Sequence, residues 1–325
     1  MNEISSATLA ERTPGSTLRI ATREVAAEGL ITLDLERADG GRLPDSTPGA
    51  HIDVMLGNGL TRQYSLCGDP RDAHRYRVAV LREPDGRGGS ASIHDELTVG
   101  STVGLGGPRN NFAIVPSNRY KFIAGGVGIT PILPMIVAAD QLGASWELLY
   151  LGRRRETMAF LDDLVRYGDR VTIHTSADSG RADLAAWIGA TDPDTKVFVC
   201  GPTGLLDEVE ASTISWRTGW VRLERFQAAR HPAPVRTAPF EIELARTGRL
   251  VTVNPDVTVA EAIRDAGATV LTSCGQGVCG TCEVSLLAGE ADHRDAILDD
   301  SERQAQNCMF VCLSRALTDR LVLDA

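Results

Sequence analysis

No apolar run in the chain approaches the roughly 20 residues that a membrane span requires, and there is no internal repeat or low-complexity tract. Nothing at the N-terminus resembles a signal peptide. Met1-Asn2-Glu3-Ile4 opens a polar stretch without an apolar core, so a cytoplasmic, reducing location is expected and disulfides are not. Basic charge is also in short supply: 33 Lys and Arg stand against 43 Asp and Glu, a net charge of -10. That balance argues against nucleic acid and suits electrostatic steering toward a basic face on a protein partner. Histidines at metal-ligand spacing are missing as well. His51, His94 and His293 read as structural or surface residues, and none is nominated as catalytic. What the chain does have is length and apolar content, 325 residues at 43% hydrophobic composition, enough for two or three domains with cores of their own.

Three of its cysteines fall within nine residues, Cys274-Gly-Gln-Gly-Val-Cys279-Gly-Thr-Cys282. C-x4-C-x2-C with a distant fourth Cys is the plant-type spacing for a 2Fe-2S cluster. Gly275, Gly277 and Gly280 supply the permissive backbone that a loop needs to wrap a small inorganic core. Amides of such a loop can also point at the sulfurs and tune the potential. Structural zinc competes, but its paired C-x2-C knuckles match the C-x4-C opening poorly. The fourth ligand is Cys308 or Cys312. Twenty-nine residues separate Cys282 from Cys312, which favours Cys312; Cys308, beside Met309 and Phe310, reads as a buried small hydrophobe, as does Cys67.

Before that loop the chain changes character twice. Short alternating runs, Ile31-Thr-Leu-Asp-Leu35, His51-Ile-Asp-Val-Met55, Gln63-Tyr-Ser-Leu66 and Tyr76-Arg-Val-Ala-Val80, are punctuated by Asp39-Gly-Gly41, Gly57-Asn-Gly59 and Gly68-Asp-Pro70. They predict an antiparallel β-barrel over 15–116. From Lys121-Phe-Ile-Ala124 onward, strand and helix patterns alternate through 146–151, 160–167, 170–175, 196–200 and 203–211, which predicts an α/β doubly wound parallel sheet over 117–228. Residues 229–238 read as a linker, with two prolines among small and charged residues. The segment 239–325 then offers a hairpin, Phe240-Glu-Ile-Glu-Leu244 and Arg249-Leu-Val-Thr-Val253 joined through Thr247-Gly248, a short helix over 259–266 and the cysteine loop, an α+β ferredoxin plan.

Three further motifs carry a resemblance over nearly the whole chain. Arg62-Gln-Tyr64-Ser65 resembles the R-x-Y-S flavin motif of the ferredoxin reductase superfamily. Gly125-Gly126-Val-Gly128-Ile-Thr130-Pro131 and Cys200-Gly201-Pro202 resemble its nucleotide-domain motifs. With a ferredoxin domain at the C-terminal end, the chain resembles the phthalate dioxygenase reductases, the group that includes vanillate demethylase reductases. The resemblance implies a multidomain protein: an FMN-binding barrel, an NAD(P)H-binding domain and a β-grasp 2Fe-2S domain. It assigns Arg62 to the flavin phosphate region, Tyr64 to the isoalloxazine and Ser65 to a hydrogen bond near flavin N5.

In Gly86-Arg87-Gly88-Gly89-Ser90, a glycine-serine element opens what reads as a short helix, whose first amides make a phosphate site. The resemblance gives that site to the FMN phosphate through Gly88, Gly89 and Ser90, and adenine contacts of the FAD relatives are not identifiable. Gly125, Gly126 and Gly128 let backbone approach a pyrophosphate, with Thr130 at the start of the following helix. By resemblance Cys200, with Gly201 and Pro202, lies near the nicotinamide, and Phe226 covers the flavin face until nicotinamide arrives. Ser65, Cys200 and Phe226 are thus the candidate catalytic residues. Arg153-Arg154-Arg155 leaves the choice of nucleotide open: an Arg cluster can read the 2′-phosphate of NADPH, whereas the resembling reductases generally use NADH.

Nicotinamide gives two electrons at once and a 2Fe-2S cluster takes one, so a flavin must stand between them. The expected activity is therefore NADH-dependent electron transfer through FMN and 2Fe-2S to a terminal, Rieske-type oxygenase acting on an aromatic or similar small molecule. The different-class alternative is a redox-sensing or carrier module that does not turn over.

Overall fold

A computed structural model describes residues 16–84, 86, 88–217, 219–226, 233–298 and 300–325. Arg87 of the glycine-serine segment, residues 229–232 of the expected linker and the N-terminal Met1-Asn2-Glu3-Ile4 lie outside the described residues. By its internal contacts the chain divides into two units, Met1–Asp183 with Ile188–Phe198, and Leu184–Trp187 with Val199–Ala325.

The first unit begins with strands β1 (Thr17–Ala27), β2 (Leu30–Arg37), β3 (His51–Met55), β4 (Thr61–Ser65) and β5 (Arg75–Leu81), helix α1 (Gly89–Glu96) and strand β6 (Thr102–Arg109). They pair antiparallel in the order β4-β3-β6-β1-β2-β5. The two end strands then meet through an antiparallel bridge between Leu66 and Val78, which closes the sheet into the expected barrel. Leu18, Ile20, Leu33, Leu35, Ile52 and Val78 fill it. Two carboxylates are buried in this barrel and both are paired, Asp34 with Arg77 and Asp53 with Arg109, each at 2.7 Å. Asp34 is supported further by Arg75 at 3.9 Å and by the Thr22 hydroxyl at 2.8 Å, as a buried carboxylate requires.

The same unit continues with β7 (Arg119–Gly125), α2 (Ile129–Gln141), β8 (Ser145–Gly152), α3 (Leu161–Val165), β9 (Val171–Thr175), α4 (Ser176–Ser179), the last residue of α5 (Leu184–Ile188), whose Leu184–Trp187 belong to the second unit, and β10 (Thr195–Cys200) as far as Phe198. β7, β8 and β9 run parallel, and the order here is β10-β7-β8-β9. Phe122, Ile123, Leu148, Leu149 and Tyr150 are buried without alternation, as parallel strands covered on both faces require. On α2, Ile129, Ile132, Met135, Ile136 and Ala139 are fully buried at helical spacing, giving one apolar face.

The second unit takes up the end of β10 and carries α6 (Thr203–Ser212), β11 (Val221–Glu224), β12 (Phe240–Leu244), β13 (Arg249–Val253), α7 (Val259–Asp265), β14 (Glu283–Ala288), β15 (Ala291–Asp292), α8 (Asp300–Ala305), β16 (Cys308–Phe310), β17 (Arg315–Ala316) and β18 (Arg320–Leu323). The mixed sheet β13-β12-β18-β14-β16 has β12 and β18 parallel at its centre. α7 starts with a capping box, in which Thr258 Oγ1 accepts from Glu261 N at 3.1 Å and Thr258 N donates to Glu261 Oε2 at 2.8 Å. Its Val259, Ala260, Ala262 and Ile263 join Phe240, Ile242, Leu321 and Leu323 in one core, the β-grasp arrangement. Among the described residues, no helix is long and apolar enough to cross a membrane.

Candidate flavin, nucleotide and cluster sites

β4 places Arg62 and Tyr64 two residues apart, opposite Val54 and Ile52 of β3, so the two side chains share a face. Ser65, the last residue of the strand, is buried opposite His51. Tyr64 is half-buried, and burial lifts its phenol above the ordinary range despite the opposing charge of Arg62. Helix α1 begins at Gly89 after Gly88, whose φ of 79° is left-handed, and no side chain caps its first amides. Ser90 Oγ accepts from Glu83 N at 3.1 Å, which ties the helix start to the connection that follows β5. The element's decisive contact is with Arg62: a Cβ at position 89 would lie 2.2 Å from Arg62 Nε. Only glycine lets that guanidinium rest across the open end of α1. A cation beside uncapped amides suits a terminal phosphate such as that of FMN.

At the carboxyl edge of the parallel sheet, a 3-10 turn at Gly126–Gly128 leads from β7 into α2, whose amides are likewise uncapped. Gly126 takes a φ of 53° with nothing within 4 Å of where a Cβ would stand, leaving open space above the turn. Thr130 is buried, and its hydroxyl donates to Val127 O at 2.9 Å, bracing the turn. Together, Gly125, Gly126, Gly128 and Thr130 fit a pyrophosphate.

In the second unit Cys200 ends β10 fully buried, with Gly201 and Pro202 leading directly into α6. Its Sγ lies 3.7 Å from Glu224 Oε2 at the end of β11. Burial and then the Glu224 charge push the Cys200 thiol well up. Glu224 as a residue is partly exposed, yet the crowding of its carboxyl raises its pKa from 4.5 to about 8. Glu224 was not singled out from the sequence as a site residue; the 24-residue gap to Cys200 hides a pairing made only when the two strand ends meet. Arg225 is held by Asp207 and Glu210 of α6 at 3.3 and 2.5 Å. The neighbouring Phe226 is 39% exposed, uncommon for an aromatic ring.

The cysteine loop brings its thiols together. Cys279 hydrogen-bonds Cys274, and Cys312 hydrogen-bonds both Cys274 and Cys282 while taking a further bond from the Gly277 backbone. Gln276 N also donates to Cys274 Sγ at 3.3 Å, and Thr281 N to Cys279 Sγ at 3.5 Å. The close fit depends on Gly277: its φ is 66°, and a Cβ there would lie 2.9 Å from Leu313 and 3.0 Å from Asp295 Cα. Cys308 sits apart on β16, where burial and the charges of Glu283, Asp295 and Glu302 raise its pKa to about 12. Among the described residues no three His, Cys, Asp or Glu side chains converge as ligands of a single ion; a two-iron cluster asks instead for two thiolates at each iron. Four linked thiols in an amide-lined loop fit such a cluster.

Comparison with known proteins agrees with this geometry. The 2Fe-2S iron-sulfur cluster binding domain family matches residues 242–317. The chain is 40% identical over 309 residues to the phenoxybenzoate dioxygenase subunit beta of Ectopseudomonas oleovorans, covering 94% of this chain and 96% of that protein. The crystal structure of phthalate dioxygenase reductase, described as modular for electron transfer from pyridine nucleotides to [2Fe-2S], superposes with a TM-score of 0.70 at 36% identity, over 95% of this chain and 97% of that one. The chain belongs to the phthalate dioxygenase reductase family. As a phthalate dioxygenase reductase relative it is an oxidoreductase, the reductase component of an oxygenase system. The pyridine nucleotides and [2Fe-2S] of that reductase agree with the nucleotide and cluster motifs expected here, and relatives that are subunits of oxygenase systems agree with an oxygenase as the electron acceptor. An intact type IV self-sufficient cytochrome P450 monooxygenase also matches, with a TM-score of 0.90 at 39% identity; 95% of this chain spans 41% of that one.

Proposed function

We propose that this reductase takes a hydride from NADH and hands the two electrons singly to a Rieske-type terminal oxygenase acting on an aromatic or similar small molecule. Bound FMN supplies the two-to-one conversion and the 2Fe-2S cluster the one-electron exit. Arg62 and the α1 amides at Gly88, Gly89 and Ser90 hold the flavin phosphate, Tyr64 lies along the ring, and Ser65 offers a hydrogen bond near N5. Gly125, Gly126, Gly128 and Thr130 receive the nucleotide pyrophosphate. Cys200, Gly201 and Pro202 place the nicotinamide, and Phe226 covers the flavin face until nicotinamide displaces it. Cys274, Cys279, Cys282 and Cys312 bind the cluster. No strong acid or base is required, because orientation of the two rings carries most of the rate. The modules are 15–116, 117–228 and 239–325, with 229–238 as the tether.

The observation that carries this proposal is the set of hydrogen bonds linking Cys274, Cys279, Cys282 and Cys312, in a chain that also packs Arg62 against Gly89. Adding NADH to the purified holoprotein should bleach its flavin and iron-sulfur absorbance and then drive cytochrome c reduction. No bleaching with NADH or NADPH would sink the proposal and leave the non-turnover module. A haem oxygenase partner is the second reading, favoured by the likeness to the cytochrome P450 monooxygenase chain. Reconstitution with a Rieske oxygenase and with a P450, each scored by product formed per NADH consumed, separates the two.

A further inference from the structure

Hydride transfer leaves one feature of the parallel sheet unused. β7 and β8 are parallel neighbours, with Gly125 opposite Leu151. The segment Gly152-Arg153-Arg154-Arg155 therefore leaves the sheet beside the glycine turn proposed to receive the pyrophosphate. In doubly wound nucleotide folds the adenosine ribose rests in that neighbourhood. A carboxylate there binds the 2′-hydroxyl of NADH, whereas an arginine accommodates the 2′-phosphate of NADPH. This chain has a glycine and three arginines where the carboxylate would stand, and its first carboxylate, Glu156, follows only inside the 3-10 turn Arg155–Thr157.

The three arginines are not equivalent. Arg154 is already engaged, its Nη2 donating to Glu28 Oε2 at 2.8 Å. Arg153 and Arg155 are exposed, and among the described residues neither side chain has an ion-pair or hydrogen-bond partner. Their backbones are anchored all the same: Arg153 O accepts from Ala177 N at 3.0 Å and Arg155 O from Met158 N at 3.1 Å. Two guanidiniums on a fixed strand end, with no carboxylate competing for them, present planar forks suited to a phosphate dianion.

We propose that Arg153 and Arg155 form a 2′-phosphate subsite, so that this reductase accepts NADPH as well as NADH; the proposal rests on reading 125–130 as the pyrophosphate site. The chemistry is unchanged. NADPH gives its hydride, one proton with two electrons, to the flavin and leaves as NADP+, while the 2′-phosphate stays covalently attached and contributes binding alone.

Adenosine 2′,5′-bisphosphate and 5′-AMP differ only by that phosphate, and their binding to the holoprotein, by calorimetry and as inhibitors of NADH oxidation, reads the subsite directly. The bisphosphate should bind at least about tenfold more tightly, and Arg153→Ala and Arg155→Ala should each weaken it about tenfold without touching 5′-AMP. In turnover both variants should raise KM for NADPH with kcat held, and leave NADH kinetics unchanged. Equal affinity of wild type for the two ligands overturns the proposal, as does a loss that is the same for both ligands in the variants. Failure of NADPH alongside competent NADH likewise overturns it. Should neither nucleotide reduce the flavin, the reductase function itself falls, and the ligand comparison still decides the subsite.

Discussion

Gly89→Ala isolates the Arg62 contact proposed to hold the flavin phosphate. The new methyl would stand 2.2 Å from Arg62 Nε, 2.5 Å from Cγ and 2.7 Å from Cζ, distances that no Cβ sustains, so the arginine must swing off the helix end. α1 itself should not suffer, because alanine is a better helix former than glycine by up to about 1 kcal/mol. What is lost is one charge-assisted hydrogen bond to the flavin phosphate, worth about 1.5–3 kcal/mol, or roughly a tenfold to hundredfold rise in Kd for FMN. Fluorescence titration of flavin-stripped protein measures this, and riboflavin, which has no phosphate, provides the internal comparison. FMN should lose its advantage over riboflavin while riboflavin binding holds. Gly204→Ala in α6, where a Cβ meets nothing within 4 Å, should change neither. An unaltered FMN-to-riboflavin ratio in Gly89→Ala would refute the assignment of Arg62 and α1 to the phosphate.

Cys282→Ser should abolish cluster assembly, read by iron content and visible absorbance, yet leave flavin reduction by NADH intact; cytochrome c reduction at the wild-type rate would show that electrons exit elsewhere. Glu224 has its carboxyl pKa raised by burial to about 8 in the folded chain, against an ordinary 4.5. Its contribution to stability is therefore full below the lower value and disappears as pH rises through the higher. Thermal melts from about pH 5 to about pH 9 should fall more steeply for wild type than for Glu224→Gln, and parallel slopes would exclude that burial effect. Thr258→Ala removes the capping box of α7 and should destabilise the ferredoxin module by about 1 kcal/mol, seen as earlier loss of cluster absorbance in urea; an unshifted midpoint would mean that the cap is redundant.

Much of this architecture is legible in local pattern. β3 matches its alternating run residue for residue, and α7 begins where its capping residues place it. β1 carries no comparably clean alternation, because its register shifts between Ile20 and Thr22 and again between Val25 and Ala27, which interrupts the two-residue period. The helical pattern over 160–167 shrinks to Leu161–Val165 because Phe160 takes a left-handed φ of 63° and a 3-10 turn follows at Gly168–Arg170. Among the site residues, the cysteines and R-x-Y-S announce themselves by spacing. The packing of Arg62 on Gly89 and the meeting of Cys200 with Glu224 do not, because each joins separate elements whose approach only the folded chain creates.

The thiol group has a consequence outside electron transfer. Cys274, Cys279 and Cys282 precede β14, and Cys312 follows β16. A cluster bonded to all four closes a ring around β14, β15, α8 and β16, and such closure makes metal binding part of the folding equilibrium. A copy synthesised during iron shortage would then hold an untied module with a lower opening free energy, the kind of segment that proteases reach first. On this account iron supply governs how many reductase molecules persist in the cell, separately from how quickly each one works.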